Sequence, residues 1–351
     1  MEKKLNLSWS CPMPKFDFDA IHLGHGSGGV LTHNLLNSGV FNLFKNDILN
    51  EKHDGAIVEL SGRLAMSTDS YVVHPIFFPG GDIGELAING TVNDLAMCGA
   101  MAQYLSVAFI IEEGLTMEEF WHILDSMKQC ADRAGVTIVT GDTKVVEKHK
   151  GDKIFINTTG IGKVHPQAHI SLKSVQPGDT IILNQPIAAH GIAIMSVREG
   201  LEFESRVVSD TTHLNYTVKN LLDHFGEDIH FLRDATRGGL ASVLNEIAKD
   251  GGLGIDLRQK DIPVNEEVEG ACEMLGLDPL YVANEGVFVT LVKASRTNEL
   301  LDLLHQDPHG THAVSIGSVT GEHPGQVILH SAIGGRRVVN MLPGEQLPRI
   351  C

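Results

Sequence analysis

The sequence predicts a mixed α/β (α+β) protein of two domains, and three observations carry that expectation. The chain has 351 residues, which at roughly 150 residues per domain suggests two units. Strand-like and helix-like runs alternate in both halves. The alternation pauses once, at HPQAHISLKSVQPGD (165–179), a Pro-containing polar stretch without periodicity. The expected layout is an N-terminal arm (1–18), a first domain (19–165), a second α/β domain (166–332) and a mobile tail (333–351) ending in Cys351.

The elements follow in order. IHLGHGSGGVLTHNLLN reads as a glycine-rich loop running into a helix. AIVELSG and RLAMSTDSYVV read as strands separated at Gly62-Arg63. DIGELAINGTVNDLAMCGA has helical apolar spacing and ends at Gly99. YLSVAFIIEE is a strand. In TMEEFWHILDSMKQCADRAG, Thr116 and Glu119 form a capping box and Gly135 ends the helix. VTIVTGDTKVV and KIFINTTGIGKV are further strands. Beyond the pause, runs such as TIILNQPIAAHGIAIMSVREG, RDATRGGLASVLNEIAKDGG and VANEGVFVTLV continue the alternation.

Composition excludes several classes. Acidic residues number 44 against 27 basic, for a formal net charge of -17. That is the wrong sign for general binding to nucleic acid or an anionic membrane. Five widely spaced cysteines without a C-x-x-C argue against a disulfide framework or a thiolate zinc site, and for a reducing compartment. The N-terminus lacks an apolar signal core, and the longest apolar run is too short for a bilayer. A cytoplasmic location is expected. The 18 histidines are mostly scattered singly, which speaks against a histidine metal site.

Four constellations can carry chemistry. His25-Gly26-Ser27-Gly28-Gly29 precedes a helix, where bare backbone N–H groups suit a phosphate. It is neither a Walker A motif nor a clean G-x-G-x-x-G, and a plain tight turn reads equally well. Asp69 and Asp142 follow apolar runs, and Asp94 sits beside Asn93 in an otherwise apolar helix. Three such carboxylates can hold Mg²⁺; turn and capping roles are the alternative. Lys144 lies two residues past Asp142, on the same face of an extended segment, for Mg-nucleotide or simply for a surface ion pair. Arg233-Asp234-Ala235-Thr236-Arg237-Gly238-Gly239 again brings glycines and cations to a helix start, where Asp234 or Thr236 can also serve as a cap. Glu285, between the apolar runs YVA and VFVTLV, is either paired or functional.

These residues carry a resemblance. HGSGG, STDSYVVHPIFFPGGDIGELAINGTVNDLAMCGA, GDTKVV, REGLEFES, LRDATRGGLASVLNEIA, the stretch 268–286 and the terminal PRIC resemble the HypE family. These are hydrogenase-maturation carbamoyl dehydratases of the PurM-like ATP-binding superfamily. The resemblance runs over nearly the whole chain, and PRIC is its most specific part. Relatives in the superfamily (aminoimidazole ribonucleotide synthetase, selenophosphate synthetase, thiamine monophosphate kinase) share the aspartates and glycines but not that tail.

The resemblance implies a PurM-like two-domain architecture, a homodimer built by pairing N-terminal sheets, and ATP with Mg²⁺ in the dimeric cleft. It implies that HypF carbamoylates Cys351, that ATP-dependent dehydration turns the S-carbamoyl group into an S-cyanide, and that a HypC–HypD complex accepts the cyanide for a [NiFe]-hydrogenase iron. On it, Cys351, Glu285 and Lys144 are catalytic. His25, Gly26, Ser27, Gly28, Gly29, Asp69, Asn93, Asp94, Asp142, Asp234 and Arg237 bind the nucleotide, and Asp69, Asp94 and Asp142 hold the metal. One departure is visible: Ala189-His190-Gly191 stands where the family usually has Asp-His-Gly.

The implied chemistry suits these residue types. A carboxamide oxygen leaves poorly; phosphorylation makes it a phosphate, with Mg²⁺ and Lys144 neutralising charge. Elimination then needs a base for the N–H protons, the role read for Glu285. The terminal carboxylate raises the Cys351 thiol pKa and Arg349 lowers it, so the thiol suits an acceptor of a reactive acyl donor. About 18 residues after Ala332 can span about 60 Å. Two alternatives stay open: another PurM-like synthetase or kinase of the selenophosphate, thiamine phosphate or aminoimidazole ribonucleotide type, or a non-enzymatic carrier. Cys11, in SWSCPMP, fits poorly the N-terminal catalytic cysteine of the selenophosphate enzymes.

Overall fold

Hydrophobic strands that must hide one face, and one helix that must hide all of its faces, set the architecture. A computed structural model describes residues 10–200, 207–342, 344 and 349–350. The first half builds a four-stranded sheet in the order β1-β6-β4-β5, from β1 (Leu64–Tyr71), β4 (Ala100–Glu112), β5 (Thr137–Val146) and β6 (Ile154–Val164). β4 and β5 are parallel and the other pairs antiparallel. β2 (Phe77–Phe78) and β3 (Gly81–Asp82) form a small separate hairpin.

Before the sheet, α1 (Val30–Leu35) passes through a π-helical turn into α2 (Phe41–Leu43), followed by α3 (Asp47–Asn50). The arm packs on the molecule: Ser10 donates to Asp125, and the Trp121 indole donates to the Cys11 carbonyl. AIVELSG, expected as a strand, is irregular, with Ile57 89% exposed. β1 is the sheet edge, so no neighbouring strand takes up the backbone groups of that run.

α4 (Ile83–Met97) and α5 (Met117–Ala134) cover one face of the sheet. α5 is amphipathic and capped as expected, by the Thr116/Glu119 box and a left-handed Gly135. α4 is different: only Glu85 and Asp94 escape full burial along it. It runs between the sheet, α5 and the second half of the chain. Gly90 lets it lie against β1, since a Cβ there would sit 2.3 Å from the Tyr71 hydroxyl.

Asp82 starts α4. Its Oδ1 accepts from the Gly84 and Glu85 amides and from the Ser126 hydroxyl. Asp82→Ala leaves those three donors without their acceptor in a buried site. A loss of about 2–3 kcal/mol in urea-unfolding stability is expected. An unchanged unfolding midpoint would refute this account.

The second half is a seven-stranded sheet in the order β13-β12-β9-β11-β7-β10-β8. Its strands are β7 (Thr180–Leu183), β8 (Ile229–Asp234), β9 (Gly254–Arg258), β10 (Phe288–Val292), β11 (Val314–Thr320), β12 (Val327–His330) and β13 (Arg336–Val339). Its helices are α6 (Ala189–Arg198), α7 (Asn215–Phe225), α8 (Gly239–Gly251), α9 (Glu266–Leu275) and α10 (Thr297–Leu304). β13 falls within the run expected as a tail: Arg336–Val339 pair with β12, and Val339 is buried. Cys351 lies outside the described residues, while Arg349 and Ile350 lie within them. Among the described residues no helix is long and apolar enough to cross a membrane.

Candidate active site

The two halves meet along α4, and a cavity of about 530 Å³ opens there. Its wall is built from β1 (Ser67, Asp69, Tyr71), α4 (Asp94, Cys98 just beyond its end), β8 and the turn after it (Arg233, Asp234, Thr236, Arg237), and Glu285. Asp69, Asp94, Asp234, Arg237 and Glu285 are thus brought together from segments more than 200 residues apart.

Each acid is held differently. Asp94 is the one cavity-facing acid on the buried helix, and accepts a 2.6 Å hydrogen bond from Ser67 Oγ. Burial raises its carboxyl pKa, and Asp69 adds to the rise. Asp69 sits 3.6 Å from the Arg237 guanidinium. Burial, with Asp94 and Asp69 as like charges, pushes Asp234 up to about 7. Glu285 is pushed well above the usual carboxylate range by burial first, then by Asp210, Asp234 and Asp69. Its Oε1 is buried and has no hydrogen-bond partner.

The backbone around Glu285 is pinned from two sides. Asp210 Oδ2 accepts from the Glu285 and Gly286 amides, at 3.1 and 2.9 Å. The Asn93 side chain donates to the Glu285 and Thr212 carbonyls and accepts from the Leu214 amide. Asn93 is 2% exposed. Expected against the ligand, it is instead a clamp joining α4 to the second half. Asp210 and Ser67 escaped the sequence reading, because a lone Asp or Ser in a polar run carries no periodic or spacing signal.

The turn after β8 bears out the alternation of glycine and charge but not the capping alternative. Gly238 and Gly239 both adopt left-handed φ (74° and 61°), and no side chain caps α8. Its first amides therefore lie beside Arg233 and Arg237 without an acid on them, an arrangement that favours an anion.

The remaining predicted residues gather at the other edge of the first sheet. Asp142 and Lys144 are exposed on β5, joined by hydrogen bonds of 2.7 Å to both carboxylate oxygens. The lysine holds the Asp142 pKa below the usual range. A largely apolar cavity of about 210 Å³ lies beside them, with Gly26, Gly28, Phe41, Phe44 and Phe109 in its wall. Asp142 is three strands from Asp69, roughly 14 Å at ordinary strand spacing. The expected set of Asp69, Asp94 and Asp142 therefore does not assemble within one chain. Among the described residues no three acidic, histidine or cysteine side chains converge as metal ligands.

The glycine loop is partly structural. A Cβ at Gly26 would meet the Val145 amide at 2.5 Å, so close packing on β5 requires that glycine. His25 is buried, its Nδ1 accepting from the His22 amide, and Ser27 Oγ donates to the Gly24 carbonyl. Those two side chains shape the turn. Gly28 has φ 79°, and no neighbouring heavy atom lies within 4 Å of the ideal Cβ positions of Gly28 or the following Gly29 apart from Ser27 Oγ. The space beside both glycines is open, although the Gly28 amide itself donates to Thr32 Oγ1 at 3.0 Å.

Comparison with known proteins places this geometry. The family described as AIR synthase related protein, N-terminal domain, matches residues 52–164, and its C-terminal-domain counterpart matches residues 176–330. The chain is 47% identical to a carbamoyl dehydratase HypE of Azotobacter vinelandii, over 95% of this chain and 97% of that protein. It superposes with TM-score 0.90 on a crystal structure of hydrogenase maturation protein HypE in complex with ATP, at 48% identity, covering 94% of this chain and 99% of that one. A HypE–HypF complex structure matches at 42% identity and TM-score 0.78, covering 90% and 100%.

Proposed function

The chain belongs to the HypE family of carbamoyl dehydratases, and from that premise we propose that it uses ATP to dehydrate an S-carbamoyl group on Cys351 to an S-cyanide. It is an ATP-dependent enzyme of hydrogenase maturation, with HypF as a partner. In this reading HypF loads Cys351, and a HypC–HypD complex receives the cyanide for the iron of a [NiFe]-hydrogenase. The observation that carries it is the placement of the chain end. Ile350, next to Cys351, is 3% exposed and packs in the same core cluster as Ala283, two residues from Glu285.

Mg²⁺ fits the residues present. After burial, Asp69 adds to the raised pKa of Asp94, and Asp94 and Asp69 add to that of Asp234, the behaviour of a negative cluster short of a cation. Carboxylates together with phosphate oxygens are donors that Mg²⁺ takes. Asp69 and Asp94 would hold it, with Asp234 beside them. When bound, it neutralises charge on the phosphoryl group in transfer.

The chain's own residues supply the rest. Arg233, Arg237 and the uncapped start of α8 bind phosphate oxygens. Lys144, oriented by Asp142, adds positive charge where the carbamoyl oxygen is phosphorylated. Glu285 takes N–H protons as that oxygen leaves with phosphate; the carboxamide carbon and nitrogen become the nitrile. Burial first and then the neighbouring acids raise the Glu285 pKa, toward the range that suits a general base; a bound cation would offset the acids' share. The enclosed position of Glu285 keeps water from the activated carbamoyl group.

Lys144 and Asp142 reach this site in a homodimer. α4 and α5 cover one face of the first sheet; the other leaves Met66 71% exposed, with Leu64 and Ile110 also open. Stacking that face on a second copy about a two-fold axis covers these residues. With that axis along the strands, the β5 edge of one copy lies against the β1 edge of its partner.

Intact-protein mass spectrometry tests the reaction. The loaded chain is expected to lose the mass of one water on addition of Mg-ATP, and to keep its adduct with ADP. Release of a modified free small molecule by an unloaded chain would instead favour a synthetase or kinase.

A further inference from the structure

The end of the chain is gripped at its backbone. His190, wholly buried at the start of α6, places Nε2 2.8 Å from the Ile350 carbonyl and Nδ1 2.8 Å from Ser209 Oγ. A carbonyl accepts only, so Nε2 carries the proton and Nδ1 accepts from the Ser209 hydroxyl. Ser209 Oγ also accepts from the Thr211 amide, and its hydroxyl proton remains to donate to Nδ1. Burial holds the His190 pKa below its usual range, consistent with a neutral ring. The Phe78 ring meets the imidazole edge-on at 5.5 Å.

One residue earlier, the Arg349 carbonyl accepts from the His74 amide and the Arg198 guanidinium. The Arg349 side chain pairs with Asp152. Ser209 adjoins Asp210, the residue that pins the Glu285 backbone. A chain of direct contacts therefore runs from the Ile350 carbonyl through His190 and Ser209 to the base. His190 and Ser209 do not line the cavity of Asp69 and Asp94.

We propose that His190 is a positioning residue for the dehydration step: its Nε2–H holds the Ile350 carbonyl and so seats the chain end that presents residue 351 to Glu285. The proposal rests on the reading of Cys351 as the substrate-bearing thiol. Ser209 sets the tautomer, and Arg198 with Asp152 forms the second grip, on Arg349.

The test uses the full chain loaded on Cys351 and two readouts. One is the rate of water loss after Mg-ATP. The other is the rate at which unloaded Cys351 is alkylated, followed on the C-terminal peptide. His190→Ala is expected to slow dehydration roughly tenfold and to speed alkylation by a similar factor, as for a lost hydrogen bond. ATP binding and loading are expected to hold. His190→Gln, whose Nε2 can donate to the same carbonyl, is expected to recover most of both rates. Should His190→Ala fail to fold, Ser209→Ala removes the tautomer partner alone and is expected to move both rates the same way.

Wild-type rates in both readouts for His190→Ala would overturn the proposal, as would a His190→Gln variant no better than His190→Ala. A wild-type chain that never loses water would instead sink the dehydratase reading, and the alkylation comparison would still judge the seat.

Discussion

Cys351→Ala is expected to take no carbamoyl adduct from HypF, an all-or-none loss. Three of the other four cysteines, Cys98, Cys130 and Cys272, are poor substitutes. Burial raises the thiol pKa of Cys130 far above its usual value and pushes Cys272 up to about 11. Cys98 opens to the cavity, but burial and the neighbouring Asp94 and Asp234 raise its pKa too. A thiol must ionise to attack, so these three are poorer nucleophiles than an ordinary cysteine thiol. Arg349, expected to lower the pKa of the terminal thiol, is committed to Asp152; loading thus relies on the donor's reactivity. The contrasting variant is Glu285→Gln. It is expected to load like the wild type and then to dehydrate about 10²–10⁴-fold more slowly, the range for removal of a general base. An adduct on Cys351→Ala, found by intact mass, would show that another residue is the acceptor.

Both features were visible in the sequence for reasons that differ. Cys351 stands out by position alone. Glu285 stands out because an acid between two apolar runs must be paired or put to use, and the structure leaves its Oε1 unpaired. α5 was legible down to its caps because capping is local chemistry. AIVELSG was misread because a strand needs a neighbour, and nothing in seven residues says whether one will be present. Asn93 was misread for the converse reason. Its location beside Asp94 suggested a ligand role, but successive residues on a helix point about 100° apart, and the neighbour that faces the cavity is Asp94 alone. Asp210, Ser209 and His190 matter through contacts spanning 75, 19 and 160 positions. Pairings that long leave no mark in local periodicity.

The separation of Asp69 and Asp94 from Asp142 and Lys144 makes the strongest demand. If each active site takes its acids from one copy and its lysine edge from the other, two dead variants should repair each other. Asp94→Asn alone and Lys144→Ala alone are each expected to be without measurable dehydration. Co-expressed with different tags, they form mixed dimers. In each mixed dimer one site combines both lesions, and the other combines the intact Asp94 of one copy with the intact Lys144 of its partner. Random pairing makes half of the dimers mixed, so about a quarter of all sites should work, and tandem-tag purification should raise this to about half. Leu64→Asp on the same chains provides the control. A charge placed on the uncovered sheet face should oppose pairing, and the rescue should vanish with the dimer in light scattering. If instead Lys144 served the site of its own chain, every chain in the mixture would carry a lesion in its only site. No amount of mixing would then restore turnover, and the mixed dimers would be as inactive as their parents.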